Sequence, residues 1–355
     1  MKICFITDAG SVHTAKWCRY FVSRGHEVHV VSLRDGELEG VQVHSLHLSQ
    51  ELMQSGSLAA KLKYLAKAPQ VRRIVKRLKP DIIHAHYATS YGMVTALAGV
   101  RPFYLSVWGS DVYEFPSNAL TKAMIRFVFS QASWILSTSK DMAKQTAKFT
   151  KKPILITPFG VEIELFKPAE RAKEGPKIVL GCVKKLEEHY GIQFLLKAFA
   201  ILCSEYDNLE LRIAGYGPME AELKQLAEEL GIGSKVLWLG FVSPQEEVIK
   251  LIQGLDIAAV PSLSESFGVS AIEASACGIP VVASNVGGLP ETVLEGATGL
   301  LVPPSDEKAL ATALKKLIES PELRRSMGER GRAFVCENYS FVKNFNEIEG
   351  YYLAE

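Results

Sequence analysis

Glu265 and Glu273 stand eight residues apart, one on each side of an expected helix start, in the segment PSLSESFGVSAIEASACGIP. Residues 256–260 read as a buried strand and 261–266 as a hydroxyl-rich loop. Residues 267–277 read as a helix that Gly278 and Pro280 terminate. Such a turn leaves backbone N–H groups and the positive end of a helix dipole beside Ser266, Phe267 and Gly268, a place where phosphate binds without any side-chain charge. Gly268 lets an anion come close to the backbone. A carboxylate beside that phosphate accepts hydrogen bonds only, which suits sugar hydroxyls. Taken alone, two glutamates eight apart mean little and read as one helix-terminal charge and one exposed glutamate.

Other polar groups gather where the first half of the chain should open a crevice. His13 lies in the first strand-to-helix loop, where a crevice role and helix capping are both open. His84 and His86 close the fourth expected strand and share one of its faces. His86 is nearer the carboxyl end and is the better crevice candidate. Asp111 follows Trp108–Gly109–Ser110 and could position a hydroxyl or cap a turn.

These residues need a scaffold, and the hydrophobic pattern supplies two. In the first half, strands at 2–7, 27–32, 41–46, 81–85, 103–107, 134–138 and 154–157 alternate with helices near 13–24, 57–78, 90–99, 118–131 and 139–149. Alternation of that kind predicts a parallel, doubly wound sheet with its ligand crevice at the carboxyl ends of the strands. Residues 158–176, with three prolines and two glycines, break the pattern and are assigned as the linker. A second alternation follows, with strands at 177–183, 209–214, 235–239, 256–260, 280–283 and 299–302. The expected domains are 1–168 and 169–340, with a final helix at 341–355 packing back on the first.

A chain of 355 residues is long enough for two cores. Its six cysteines are scattered and form no C-x-x-C pair, which argues for buried thiols in a reducing compartment. The start carries no signal-peptide pattern and no apolar run reaches spanning length, so a cytoplasmic protein is expected. A net charge of +1 hides an asymmetry: residues 1–170 hold 22 Lys and Arg against 13 Asp and Glu. Between Leu52 and Pro80 there are eight basic residues and no acidic one. The expected helix there is either a solvated face or, through segment 57–79, an attachment to the anionic inner face of a membrane.

The run P-S-x-x-E-S-F-G-x-x-x-x-E-A-x-A-x-G-x-P-V-V-A-S-x-x-G-G-x-P-E resembles the signature of family 4 (group 1) glycosyltransferases. The resemblance extends to Gly215–Tyr216–Gly217–Pro218 and Gly240–Phe241–Val242 and covers essentially the whole second half. In the first half it is looser, resting on Arg24–Gly25–His26, Asp81–Ile82–Ile83–His84–Ala85–His86 and Trp108–Gly109–Ser110–Asp111. It implies the α/β GT-B fold, in which two Rossmann-like doubly wound domains face each other across an interdomain cleft. It further implies a retaining, metal-independent transfer of a hexose-type sugar from a UDP- or GDP-sugar. The acceptor would be a hydroxyl of a glycan, a lipid-linked or a small molecule, and no cofactor beyond the sugar nucleotide is expected. The first domain would bind the acceptor and the second the donor.

Residue by residue, the resemblance places Glu273 on the nucleotide ribose and Glu265 on donor-sugar hydroxyls. Backbone at Phe267 and Gly268 would hold the sugar and diphosphate, with Ser266, Val269, Gly215 and Gly217 completing the donor wall. Phe241 and Val242 would frame the base. Catalytic candidates are Glu265, Asp111 and His86; His13, His84 and Trp108 are acceptor-side candidates. Two positions depart from the family. Lys185 takes the place of an arginine and remains the diphosphate candidate, whereas Tyr190 replaces a lysine. Lys184 is expected to point to the other side of its strand from Lys185. Trp108 stands where many relatives carry histidine, and offers an indole donor and a stacking face.

Alternatives are an epimerase or hydrolase of the same architecture and a non-catalytic sugar-nucleotide-binding subunit. A dinucleotide-dependent oxidoreductase is disfavoured, because no G-x-G-x-x-G follows a strand. Nothing in the charge pattern calls for nucleic acid.

Overall fold

The computed structural model describes residues 1–49, 63–169 and 177–354. The chain divides into two units, Met1–Thr157 with Phe345–Glu355, and Pro158–Asn344. Each is built on one wholly parallel sheet.

In the first unit the strands are β1 (Lys2–Ile6), β2 (Glu27–Ser32), β3 (Gln42–Ser45), β4 (Ile82–His86), β5 (Tyr104–Val107), β6 (Trp134–Ser137) and β7 (Ile154–Ile156). Their order is β3-β2-β1-β4-β5-β6-β7. In the second they are β8 (Ile178–Val183), β9 (Leu209–Ala214), β10 (Val236–Gly240), β11 (Ile257–Val260), β12 (Val281–Ser284) and β13 (Gly299–Val302), in the order β10-β9-β8-β11-β12-β13. Parallel strands need helical crossovers, and helices on both faces bury both sides of each strand. That is why β4, β11 and β12 are buried at every position. The strand order reverses between β1 and β4 in one sheet and between β8 and β11 in the other. Ligand crevices of doubly wound sheets open at that reversal.

The second unit begins earlier than the sequence suggests, at Pro158 rather than Ala169. Val161 N–H donates to Tyr339 O at 2.8 Å and Phe341 N–H to Val161 O at 2.9 Å. Phe166 is buried in the same apolar cluster as Ile272 and Val335. Arg332 donates to the carbonyls of Phe166 and Ile163. The proline-rich stretch is therefore tied to the second core over its described part; residues 170–176 of the expected linker lie outside the described residues.

The last helix, Phe341–Leu353, counts with the first unit from Phe345 onward. Phe345 packs edge-on against Trp17 at 4.9 Å. Glu349 accepts from Tyr20 Oη at 3.1 Å and Arg24 Nε at 3.1 Å, and meets His26 Nε2 at 2.7 Å. Burial opposes ionisation of Glu349, but these three partners outweigh it and hold its pKa below the usual 4.5.

Helix bounds depart from expectation in two places that matter. The expected helix over 57–78 is described as Ala68–Leu78, and its part at 57–62 lies outside the described residues. The helix after β11 is Val269–Ala276, so Phe267 and Gly268 precede it; Gly268 adopts a φ of +100° that ends the loop. All six cysteines are free, and no described helix is long and apolar enough to cross a membrane.

Candidate functional site

Pairing of Ala258 with Gly181 brings the ends of β8 and β11 to one edge of the second sheet. The chain leaves β8 as Lys184–Lys185 and leaves β11 as the loop 261–268. Three glycines make the approach of these segments feasible. A Cβ at Gly191 would stand 2.1 Å from Pro261 O, one at Gly217 would stand 2.3 Å from Leu186 O, and one at Gly287 would stand 1.9 Å from Glu265 O. Gly288 N–H donates to Glu265 O at 2.9 Å, so a second loop fixes the backbone of this glutamate.

The Glu265 carboxylate is largely enclosed, 11% exposed, and pairs with Lys184 Nζ, itself 9% exposed. Ser262 Oγ donates to the same oxygen, Oε2, at 3.3 Å. The Tyr190 ring lies 4.8 Å from the ammonium. Burial disfavours the charged lysine, yet the Glu265 carboxylate outweighs it and the Lys184 pKa is raised. Lys185 points elsewhere: its side chain is 59% exposed, with Nζ 3.8 Å from Glu187 Oε1. The two lysines do take opposite sides, as expected. The one that reaches the site's carboxylate is Lys184, which the sequence pattern did not select.

The other residues expected on the donor side line the same edge. Glu273 is half-buried one turn into the helix Val269–Ala276. Ser266 and Val269 are half-buried, whereas Phe267 is buried against Phe159 and Tyr339. Phe267 can therefore offer only its backbone. The Ser270 hydroxyl, at the second position of that helix, has no hydrogen-bond partner among the described residues. Gly215 follows β9 with its N–H on Gly240 O at 2.7 Å. Tyr216 and Phe241 are exposed and meet edge-to-face at 5.5 Å, with Val242 half-buried beside them. Tyr216 was not anticipated; an aromatic between two glycines at a strand end was its signal.

A cavity of about 410 Å³ lined by Pro168, Asp256, Cys277, Pro280, Arg324 and Arg332 sits ahead of β11 and β12, at the amino ends of the strands. It is not this site. The guanidiniums of Arg324 and Arg332 already donate to main-chain carbonyls there. Among the described residues no group of three His, Cys, Asp or Glu side chains is arranged to hold a metal ion.

In the first unit the structure brings His13, His86 and Trp108 together at the carboxyl ends of β1, β4 and β5. Trp108 packs on His86 at 4.7 Å and beside His13 at 5.8 Å. Burial, then the Lys16 ammonium, pushes His13 down to about 4, so its imidazole is neutral at physiological pH. Three expectations are corrected here. His86 is fully buried among Phe5, Trp17 and Trp108, with Nδ1 3.2 Å from Thr7 Oγ1, and does not open on solvent. His84 belongs to the core, between Ser106 Oγ at 2.8 Å and the hydroxyl of Tyr352. Asp111 is fully buried and accepts backbone N–H groups from Gly109 (2.9 Å), Trp108 (3.2 Å) and Ala88 (2.9 Å). Of the two roles open to it, the structure shows the turn: its carboxylate staples two loops together and is closed to solvent. Burial outweighs those three donors, and its pKa is raised.

Residues 163–334 match the family described as "Glycosyl transferases group 1", and residues 2–139 match "Glycosyl transferase 4-like". The N-acetyl-alpha-D-glucosaminyl L-malate synthase of Bacillus anthracis is 27% identical, with 98% of this chain and 95% of that protein aligned. A GDP-mannose-dependent alpha-(1-6)-phosphatidylinositol monomannoside mannosyltransferase of Mycolicibacterium smegmatis is 33% identical over 70% of this chain and 69% of its own length. Among solved structures, Anabaena HepE in complex with UDP superposes with a TM-score of 0.81 at 20% identity, each chain covered in full. That likeness shows the fold, which is GT-B.

Proposed function

The chain belongs to the group 1 glycosyltransferases, and on that premise we propose that it moves a hexose-type sugar from a UDP- or GDP-sugar to a hydroxyl acceptor, with retention of configuration and without a bound metal. The observation that carries this reading is the enclosed Glu265 carboxylate beside the start of the helix Val269–Ala276, at the reversal point of the second sheet. A carboxylate fixed there recognises sugar hydroxyls, and a helix start recognises phosphate. Glu273 is assigned to the ribose, and Tyr216 and Phe241 to the face of the base. Lys185 is assigned to the leaving diphosphate, because it is an exposed cation on the turn that leaves β8 and its contact with Glu187 is a solvent-exposed one. Departure of a diphosphate needs such preorganised positive charge. HepE was solved with UDP and with UDP-glucose, which supports a uridine donor as the first candidate.

The acceptor is assigned to the first unit, where Trp108 and His13 present a stacking face and a neutral imidazole. A glycan or lipid-linked acceptor fits the exposed cations Arg72, Arg73, Lys76, Arg77 and Lys79, carried by the helix Ala68–Leu78 and its C-cap. Ala68, Val71 and Val75 of that helix face the core. Peripheral attachment to the anionic cytoplasmic face of a membrane is therefore part of the proposal.

The test is a thermal-shift screen of UDP-, GDP- and ADP-sugars in the presence of EDTA. A ligand at about 100 times its Kd adds roughly 2.7 kcal/mol of stability. No shift with any of them would end the donor reading. Proton NMR of the anomeric signal in the first-formed product decides retention against inversion.

A further inference from the structure

Both contacts to the Glu265 carboxylate, from Lys184 Nζ and from Ser262 Oγ, use Oε2. Oε1 is left for another donor. A lysine placed only for stability would serve as well on the surface, since a buried ion pair returns little net free energy once desolvation is counted. What burial does provide is a single orientation. Lys184 is also anchored through its backbone: its N–H donates to Ala214 O at 3.0 Å, and its carbonyl is wedged against Gly215. The backbone that carries the ammonium is thus fixed, and the ammonium itself is held between Glu265 and the Tyr190 ring.

We propose that Lys184 is a positioning residue for sugar transfer: it holds the Glu265 carboxylate in one orientation, so that Oε1 faces the hydroxyls of the donor sugar. This rests on the reading of Glu265 as the donor-sugar residue. The titratable groups packed against the pair are Cys182, at the end of β8, and Tyr190, whose ring faces the ammonium. Lys185, Glu187 and His189 of the same turn pair among themselves, Glu187 lying 3.8 Å from the lysine and 3.6 Å from the imidazole. They leave the Lys184–Glu265 contact as the dominant one.

The experiment compares Lys184→Met and Lys184→Arg in the full chain. Carbon-13 NMR follows the Glu265 carboxyl signal, with Glu265→Gln to identify it. The signal should move or broaden in Lys184→Met as the carboxylate loses its fixed orientation, and Lys184→Arg should restore it. An unchanged signal overturns the proposal, and this readout needs no sugar nucleotide. Calorimetry with UDP and UDP-glucose, or GDP and GDP-mannose, gives the second arm. Lys184→Met should bind the sugar nucleotide roughly tenfold more weakly while its affinity for the bare nucleotide stays within about twofold. An equal loss for both would make Lys184 a diphosphate ligand and overturn the positioning role. If the wild type bound none of these probes, the donor reading would fail while the carboxyl signal still decided whether Lys184 positions Glu265. Should Lys184→Met fold poorly, the double variant Lys184→Met/Glu265→Gln removes both charges. Its sugar-nucleotide affinity should match that of Glu265→Gln alone, and an additive further loss would count against the proposal.

Discussion

A Cβ added at Gly215 would stand 1.7 Å from the carbonyl oxygen of Lys184. Gly215 also holds a φ of +152°, in the region that side-chain-bearing residues avoid. Replacing it with alanine must push the Lys184 backbone away and so disturb Glu265. Gly215→Ala should cost about 2–4 kcal/mol of stability and abolish donor binding. Gly231→Ala is the control, because Gly231 also has positive φ (+70°) but open space around it. It should cost only about 1 kcal/mol. Urea unfolding of both variants measures the difference.

Glu265→Gln should lower kcat by about two orders of magnitude or more, with UDP affinity changed less than about threefold. Glu273→Gln should do the reverse, weakening nucleotide binding at nearly constant kcat. Initial rates and calorimetry on both variants separate the sugar role from the ribose role. Wild-type transfer by Glu265→Gln would remove it from the donor site.

Lys185→Ala should weaken UDP and GDP to a similar degree, by roughly tenfold, because an exposed cation on a diphosphate contributes about 1–1.5 kcal/mol. Isothermal calorimetry with both nucleotides checks this, and equal affinity in wild type and variant would return Lys185 to the solvated surface.

Acid should loosen the first unit through its buried histidines. Burial lowers His84 from 6.5 to about 3, and burial, followed by His84 and His13, lowers His86 well below 6.5. Below 6.5 the unfolded chain takes up protons that the folded chain refuses. Their contribution is thus complete above 6.5 and is lost as the pH falls toward 3. Urea midpoints at about pH 7.5, 6 and 5 should decline, and decline less steeply in His84→Gln.

The basic helix can be tested by flotation with vesicles. Neutral vesicles should bind little, and vesicles rich in anionic lipid should bind more strongly at low salt. Each of Arg72→Gln, Arg73→Gln and Lys76→Gln should cost about 1 kcal/mol, or about fivefold in partitioning. Equal partitioning to both kinds of vesicle would make the helix a solvated face.

The strands were readable because a parallel sheet buried on both faces demands short runs of apolar, often β-branched residues, and 178–183 and 281–284 are such runs. Glu265, Gly268 and Glu273 were readable because a strand, a loop and a helix follow one another within one segment, so local geometry alone brings them to one edge. The short helices Ser110–Tyr113 and Leu289–Thr292 were not, since four residues carry no period. Asp111 misled for a related reason. A carboxylate after a glycine turn has the same sequence whether its oxygens meet a ligand or the backbone of Ala88, and Ala88 arrives from a different strand.

The sequence by itself therefore determined the two doubly wound units, the strand–loop–helix segment that follows β11 and the placing of Glu265 and Glu273 on either side of that helix start. Each of these depends on residues close together in the chain. Only the tertiary structure decided that Lys184, rather than Lys185, meets Glu265. That contact joins the ends of β8 and β11, 81 residues apart in sequence, and the pairing of those strands is a long-range event that no local pattern encodes. It also decided that His84 and His86 lie beneath Trp17 and Trp108, because burial is a property of what packs above a strand and not of the strand alone.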